Sequence, residues 1–307
     1  MRILLATDGS QPAARAVDLV DSIAWPDGTT IGVVAVHRRG RDYTAIPVMT
    51  TAPDQPQVAA PDAEPRLWLD NALDAAVLQL ERPGREVVRF ILAGRAGSAI
   101  VKEARDFEAD LVVVGSRGQG AMQSMVLGSV SSEVVDHAPC PVLVTRGGAV
   151  RSLVFAADGS PDADNAERVL TEWPLFRDIP AAVVTVAETQ IPVSAGMAPG
   201  LYDQVIGSYE ESLDEAGREA LSIAQAAAGR LTEAGLNANP VLRSGTPAEE
   251  IVAVAQERGA DLIVIGTRGH TGLARLVLGS VARNVLHHAP CSVLVVREKA
   301  EVRPVEE

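Results

Sequence analysis

The feature that most constrains this chain is an internal repeat whose two copies are nearly identical in several motifs. Residues 109–118 read ADLVVVGSRG, and residues 260–269 read ADLIVIGTRG, 151 positions later. The same offset relates two copies of VLGSV and two copies of HAPC. Solenoid repeats are only about 20 to 50 residues long. A period of 151 residues therefore predicts two copies of one whole domain in tandem.

The boundary between the copies is predicted near Gly147 and Gly148, a pair of glycines that follows an apolar run. The motif DGS at residues 8–10 recurs 150 positions later, so the copies differ by one residue of length before the fourth strand. The predicted units are a first domain at 1–147, a second domain at 148–298 and an acidic tail at 299–307.

The composition is that of a globular protein with aliphatic cores. Of the 307 residues, 47% are hydrophobic, 22% are charged and only 3% are aromatic, which is typical of a folded chain and not of a disordered one. The formal net charge is −13. Binding along a nucleic-acid backbone requires a basic face, and anionic membranes attract basic segments. We therefore expect neither nucleic acid nor a membrane as a partner.

The sequence also predicts a cytoplasmic location. Its first residues lack the apolar core and cleavage site of a signal peptide, and no apolar stretch reaches the roughly 18 residues that a membrane span needs. Two cysteines, Cys140 and Cys291, are too few for a disulfide framework. Both are expected to be small buried apolar side chains.

Apolar strands alternate with helical patterns in both copies, which predicts an α/β fold with a parallel sheet and helices on both faces. After the second strand of each copy, residues 38–63 and 187–207 show no periodicity and are predicted to be long loops. A long helix is predicted at 208–234. The strands expected in the first copy lie at residues 2–7, 30–37, 86–92, 111–115 and 142–145, and the later helices at 64–80, 98–108 and from about 129.

The main chemical signal is a glycine loop after the fourth strand of each copy, with the pattern Gly-x2-Gly-x9-Gly-Ser. It is formed by Gly115, Gly118, Gly128 and Ser129, and again by Gly266, Gly269, Gly279 and Ser280. Ligands of parallel sheets bind beyond the carboxyl ends of strands, glycines let backbone N–H groups approach closely, and helix N-termini attract anions. The loop therefore indicates a phosphate site, to which Arg117 and Arg268 would add charge.

Simpler explanations remain open for each part of this pattern. Glycines are common between strands and helices, and Ser129 and Ser280 could act only as helix N-caps. Asp8 and Asp158 each end a first strand and precede Gly-Ser, so they could serve only as an Asx-turn or a helix cap. The chain contains no Gly-x4-Gly-Lys-Ser/Thr P-loop, and its loop glycines do not form a dinucleotide fingerprint.

Taken together, the glycine pattern after the fourth strand and the aspartate at the end of the first strand resemble the universal stress protein family, in its tandem ATP-binding form. The resemblance covers nearly the whole chain and is weakest over 38–63 and 187–207. It implies two Rossmann-like domains of the HUP type, each a five-stranded parallel sheet of order 3-2-1-4-5 with helices on both faces. It also implies one ATP per domain, because the family branch that does not bind ATP lacks these glycines.

The resemblance implies roles for individual residues at the matching positions. Asp8 and Asp158 would face the ribose or a phosphate-bound Mg²⁺. The residues implied on the adenine side are Ala6, Thr7, Val36, Ala156, Ala157 and Val186. Those implied around the ribose and phosphates are Val114, Gly115, Gly118, Gly128, Ser129 and Val130, and their repeat mates Ile265, Gly266, Gly269, Gly279, Ser280 and Val281.

The resemblance further implies how the two copies meet. Residues 141–146 would pair antiparallel with residues 292–297, which places Cys140 and Cys291 at opposite ends of a two-stranded ribbon, too far apart for a disulfide. A homodimer of the whole chain is also expected from the resemblance alone.

Three functions are open on the sequence. The first is an ATP-binding stress-response module that changes shape or partner with its nucleotide, the second a slow ATPase or phosphotransferase, and the third an assembly protein with ATP as a structural cofactor. Phosphoryl transfer needs charge neutralisation and an oriented nucleophile, yet neither glycine loop contains a lysine. The sequence therefore favours the first function, with an unknown regulatory protein as the partner.

Overall fold

The computed structural model describes residues 1–37, 63–118, 127–188, 199–269 and 278–297. Within these ranges no helix is long and apolar enough to cross a membrane. The predicted acidic tail at 299–307 lies outside the described residues, as does most of the loop predicted at 38–63.

Strands and helices alternate along both halves of the chain. The first half contains β1 (Arg2–Ala6), α1 (Gln11–Ser22), β2 (Thr30–His37), α2 (Ala63–Leu80), β3 (Glu86–Ala93), α3 (Ala96–Asp106), β4 (Leu111–Gly115), α4 (Ser129–His137) and β5 (Val142–Thr145). The second half contains β6 (Leu153–Ala156), α5 (Pro161–Glu172), a 3-10 turn (Pro174–Phe176), β7 (Pro180–Ala187), α6 (Pro199–Glu233), β8 (Asn237–Ser244), α7 (Pro247–Glu257), β9 (Leu262–Gly266), α8 (Ser280–His288) and β10 (Ser292–Val296).

All ten strands form one sheet, in the order β3-β2-β1-β4-β5-β10-β9-β6-β7-β8. Within each half the strands are parallel and follow the predicted order 3-2-1-4-5, which is confirmed. The halves join through antiparallel pairing of β5 with β10, with Leu143 opposite Leu294. This confirms the predicted pairing of the last strands.

The sheet is buried on both faces by helices, as predicted. Alternate residues of β1 show this directly, because Ile3 and Leu5 belong to one apolar cluster and Leu4 belongs to the other. Helices α1, α2, α5 and α6 pack on the first face, and α3, α4, α7 and α8 pack on the second. Side chains of successive strand residues point to opposite faces, so a strand covered on both sides must be apolar throughout. Val112 and Val113 in β4 are both fully buried for this reason.

One predicted boundary was wrong by more than two residues. Helix α6 begins at Pro199, whereas the sequence predicted a loop up to residue 207. Gly200 and Gly207 lower the helix propensity of this segment, and its apolar residues show no clear period. Proline is nevertheless compatible with the first turn of a helix, where its missing N–H has no intrahelical partner.

Two partly buried arginines join the halves in a reciprocal manner. Arg146, which follows β5, donates to the main-chain carbonyl of Cys291 at 3.3 Å and to that of Leu286 in α8. Arg297, which follows β10, donates to the carbonyl of Ala138 at 2.9 Å, at the end of α4. The last carbonyls of a helix have no intrahelical donors. Each arginine therefore caps the last helix of the other half.

Candidate functional site

The carboxyl ends of the strands form a crevice where the strand order reverses. In the first half β1 lies between β2 and β4, and in the second half β6 lies between β7 and β9. The chain leaves β1 towards β2 on one side and later crosses over to β4 on the other side. Such a reversal in an open parallel sheet separates the flanking loops and leaves room for a ligand.

In the second half this crevice contains a cavity of about 650 Å³, here called the second-half cavity. Sites for small molecules and cofactors typically measure about 300 to 1,000 Å³. All eleven second-half residues that the sequence analysis assigned to a ligand line it. These residues are Ala156, Ala157, Asp158, Val186, Ile265, Gly266, Arg268, Gly269, Gly279, Ser280 and Val281.

The second-half cavity also has walls that the sequence analysis missed. They come from the end of β7, one face of α6 and the start of α7. The main examples are Thr185, Ala187, Glu188, Ala216, Glu219, Ala220, Ile223, Pro247 and Ile251. The α6 residues recur at helical spacing, a signal that cannot be distinguished in sequence from a stripe facing the core.

The two aspartates form the turns that the sequence left as an alternative. Oδ1 of Asp8 accepts from the backbone N–H of Ser10 at 3.0 Å, and Oδ1 of Asp158 accepts from Ser160 at the same distance. Glycine follows each aspartate with a positive φ, +68° at Gly9. Each is therefore an Asx-turn residue, and the turn orients its second carboxylate oxygen.

That second oxygen faces the glycine loop. A β-carbon placed on Gly118 would lie 2.5 Å from Oδ2 of Asp8, and one on Gly269 would lie 2.5 Å from Oδ2 of Asp158. Such a distance is shorter than real β-carbon contacts. The second glycine of each loop is therefore required by the aspartate that ends the first strand, and the two segments form one structural unit.

The first glycine of each loop serves the packing of a helix. A β-carbon on Gly266 would lie 2.7 Å from the carbonyl of Asp162, and one on Gly115 would lie 3.0 Å from the carbonyl of Pro12. These carbonyls belong to the first turns of α5 and α1. The absence of a side chain thus lets each helix start close to the strand end, a role that the phosphate hypothesis did not anticipate.

The third glycine starts the helix, and this corrects one alternative. Gly128 and Gly279 occupy the N-cap positions of α4 and α8, so Ser129 and Ser280 are the first helical residues and not caps. By contrast, Ser10 caps α1 by accepting from the N–H of Ala13 at 3.3 Å. Among the residues that the structure describes, no side chain caps α4 or α8. The first backbone N–H groups of each helix therefore have no side-chain acceptor in the described part of the chain, and at α8 the residues that carry them line the second-half cavity.

The loops close back on themselves in the same way in both halves. The N–H of Gly128 donates to the carbonyl of Ser116 at 2.9 Å, and that of Gly279 donates to the carbonyl of Thr267 at 2.8 Å.

The first half places its candidate residues at positions equivalent to those around the second-half cavity. Ala6 ends β1, Thr7 and Asp8 follow it, Val36 lies in β2, Val114 and Gly115 end β4, Arg117 and Gly118 follow β4, and Gly128, Ser129 and Val130 start α4.

This arrangement matches a known family in both halves. Residues 1–146 and residues 149–297 each match the sequence model of the universal stress protein family. The chain belongs to the universal stress protein family. It is therefore a member of a family of stress-response proteins, with two family domains in tandem.

Relatives in the universal stress protein family match one or both halves. A universal stress protein of Thermus aquaticus is 37% identical over 144 residues, which cover 47% of this chain and 97% of that protein. A universal stress protein of Mycobacterium bovis is 31% identical over 199 residues, which cover 62% of this chain and 63% of that protein.

Solved structures share the fold of the tandem universal stress proteins. A universal stress protein of Archaeoglobus fulgidus superposes with a TM-score of 0.60 at 19% identity, over 98% of this chain and 97% of that chain. A protein of unknown function from Pseudomonas aeruginosa superposes with a TM-score of 0.60 at 17% identity, over 96% and 92% of the two chains. At these identities the comparison supports the tandem fold and no more.

Both cysteines lie away from this chemistry. Cys140 and Cys291 are buried thiols at the starts of the last strands, and no disulfide joins them, as the sequence predicted. Burial raises the pKa of the Cys291 thiol to about 11. Because the thiolate is the reactive form, this cysteine is a packing residue.

Proposed function

We propose that the protein binds one ATP in the crevice of each half and acts as a nucleotide-dependent regulatory module in the stress response. The observation that carries this proposal is the second-half cavity, whose wall includes all eleven residues singled out from the sequence. The first half repeats the aspartate turn, the glycine contacts and the uncapped helix start. This repetition supports a second site of the same kind.

The start of α8 supports the binding of phosphate. Gly279 has no side chain to accept from the N–H groups of the first turn, and Ser280 is exposed at the next position. Such N–H groups and the helix dipole together favour anions. We therefore expect the phosphates against Gly279 to Val281, with the Ser280 hydroxyl as an additional donor.

The opposite wall of the cavity supports the binding of a base. Val184 and Val186 at the end of β7, and Ala156 at the end of β6, present apolar surface there. Ligand sites generally combine such surface with a few polar groups that fix orientation. Main-chain groups at the end of β7 would provide the polar contacts to the adenine edge.

Mg²⁺ fits beside Asp8 and Asp158 only together with the phosphates. Oδ1 of each aspartate accepts from its own turn, and the described part of the chain contains no group of three or more His, Cys, Asp or Glu side chains arranged to hold a metal. Mg²⁺ commonly binds through one or two carboxylates plus phosphate oxygens and water. Each aspartate would hold the ion by its carboxylate, and the ion would neutralise phosphate charge.

Charge substitutions at the two helix starts test the proposal. Ser129→Asp and Ser280→Asp each place a carboxylate where phosphate is expected, at exposed first-turn positions where an acid also favours the helix dipole. Titration calorimetry with Mg-ATP should give two sites in the parent chain, one in each single variant and none in the double variant.

Ser98→Asp is the matched control. Ser98 is an exposed residue in the first turn of α3, and its repeat mate is already acidic, Glu249. This variant should bind two ATP. Two full sites in the Ser129→Asp, Ser280→Asp double variant would show that nucleotide does not bind at these helix starts.

A further inference from the structure

The two candidate sites differ in charge, and the inference drawn from this difference rests on the proposed function. The repeat places Asp162 at the position of Pro12. An offset of 151 residues aligns the buried residues of α2 and α6, Leu73 with Ala224 and Leu80 with Leu231, and it places Glu219 at the position of Trp68. The first equivalence is visible in the structure, because Gly115 and Gly266 meet the backbones of Pro12 and Asp162 in the same way. The second half thus carries two carboxylates, Asp162 and Glu219, where the first half has uncharged side chains, and Glu188 also lines the second-half cavity.

Asp162 forms an ion pair with the arginine of the second glycine loop. Nε of Arg268 lies 3.6 Å from Oδ2 of Asp162, and the hydroxyl of Thr267 donates to the same oxygen. Both ionic side chains are largely buried, with exposed fractions of 26% and 21%. An ion pair shielded in this way is weakly screened by solvent. A phosphate approaching Arg268 must therefore share its charge with a fixed carboxylate.

The first half cannot form the equivalent ion pair. Pro12 has no carboxylate, so the charge of Arg117 is not offset from this position. Each half also has a second arginine near the arginine of its glycine loop, Arg146 near Arg117 and Arg297 near Arg268. Burial lowers the pKa of Arg146, and the like charge of the nearby Arg117 lowers it further. In the second half burial likewise lowers the pKa of Arg297, the Cys140 thiol and the carboxylates of Asp136 and Asp162 oppose this, and the like charge of Arg268 adds to it. Of these groups, Asp162 is the one that Pro12 replaces with an uncharged residue in the first half.

A second difference in charge between the two sites involves Trp68 of α2 and Glu219 of α6. Glu219 lines the second-half cavity. Its counterpart Trp68 lies over the aspartate turn, since a β-carbon on Gly9 would be 2.6 Å from the indole ring. The indole is 43% exposed, so an apolar and partly open surface takes the place of a carboxylate.

We propose that the two sites are unequal, with Asp162, Glu219, Pro12 and Trp68 as the residues that determine the difference. The first-half site binds the triphosphate whether or not a divalent cation accompanies it. The second-half site binds the complex of the nucleotide with a divalent cation, because its two extra carboxylates repel uncompensated phosphate charge. Summed over several phosphate charges at partly solvated separations, the repulsion should weaken binding of cation-free ATP by about tenfold or more.

The test uses the Ser280→Asp and Ser129→Asp chains, which isolate the first and second sites. ATP is titrated into each by calorimetry, with EDTA and then with Mg²⁺. In EDTA, we expect the first site to bind ATP at least about tenfold more tightly than the second site does. Mg²⁺ should reduce this difference in affinity, because it neutralises phosphate charge. In the Ser129→Asp chain, Asp162→Asn and Glu219→Gln should together raise the affinity of the second site for ATP in EDTA by about tenfold.

Glu233→Gln, which removes the same charge from an exposed position at the far end of α6, should leave the affinity of the second site unchanged. In the Ser280→Asp chain, Trp68→Glu should weaken the first site in EDTA. Equal affinities of the two sites in EDTA, or no response to Asp162→Asn with Glu219→Gln, would overturn the inequality and leave the proposed function intact. Absence of binding in both chains with Mg-ATP would overturn both proposals.

Discussion

Oδ2 of Asp8 lies 2.5 Å from the point where a β-carbon on Gly118 would stand. These residues are far apart in the chain, one after the first strand and one after the fourth, and they meet because β1 and β4 are neighbours in the sheet. The same contact recurs between the corresponding residues of the second half. The aspartate turn and the glycine loop therefore position each other, and both would contact the same ligand.

Gly118→Ala should weaken ATP binding at the first site alone. The added methyl must displace the Asp8 carboxylate, whereas the backbone at residue 118 has no positive φ that would oppose alanine. Loss of one charge-assisted contact typically costs about 1.5–3 kcal/mol, which corresponds to roughly a tenfold to hundredfold loss of affinity. Calorimetry measures this loss of affinity when Gly118→Ala is made in the Ser280→Asp chain, in which only the first site binds ATP. Gly229→Ala, with open space around its β-carbon, is the control, and an equal affinity for both variants would contradict the positioning role.

Arg297→Met should reduce the stability of the joined halves. Methionine retains the apolar stem but removes the donors to the carbonyls of Ala138 and Asp136. Buried carbonyls without a donor cost about 1–3 kcal/mol in the free energy of unfolding. Urea denaturation followed by circular dichroism measures this change. Arg258→Met, at an exposed position after α7, should cost much less, and equal losses for the two variants would exclude the capping role.

Stability should fall as pH drops through the range where His287 titrates. Burial, together with the positive charges of His288, Arg283 and Arg146, lowers the pKa of His287 in the folded state below its usual 6.5. The unfolded chain therefore takes up the proton first, and the free energy of unfolding decreases from pH 6.5 downwards until the folded-state pKa is passed. Denaturation series at pH 7.5 and 5.5 measure this. The loss should be smaller in His287→Asn, and an identical loss in both chains would refute the assignment.

ATP turnover should be slower than about 1 s⁻¹, the low end of typical enzyme rates. Among the described residues that line the second-half cavity, Arg268 is the one cation, and it is paired with Asp162. Release of phosphate under saturating Mg-ATP measures the rate. A faster rate that is lost in the Ser129→Asp, Ser280→Asp chain would identify an enzyme instead of a binding module.

The sequence predicted the fold well because strands of a doubly covered sheet must be apolar throughout. The β4 bounds, Leu111 to Gly115, follow from an unbroken apolar run that ends in glycine. The start of α6 was not predicted, because glycines at 200 and 207 lower the helix propensity of the segment in which the helix begins.

The site was predictable only where a local motif carries it. The second glycine loop and Asp158 have recognisable spacing, and the structure gathers them around one cavity. Glu219 belongs to a helical stripe with no distinctive signal, and the pairing of Asp162 with Arg268 joins residues about a hundred positions apart. Such contacts depend on the crossover of the chain, so no sequence window contains both partners.

The number of ATP molecules retained per chain tests the central claim most directly. The protein is incubated with saturating Mg-ATP, desalted and denatured, and the released nucleotide is identified and quantified by mass spectrometry. We expect two molecules of ATP per parent chain and one per Ser280→Asp chain. A chain that retains no adenine nucleotide, and that gives no heat with Mg-ATP in solution, would contradict this claim.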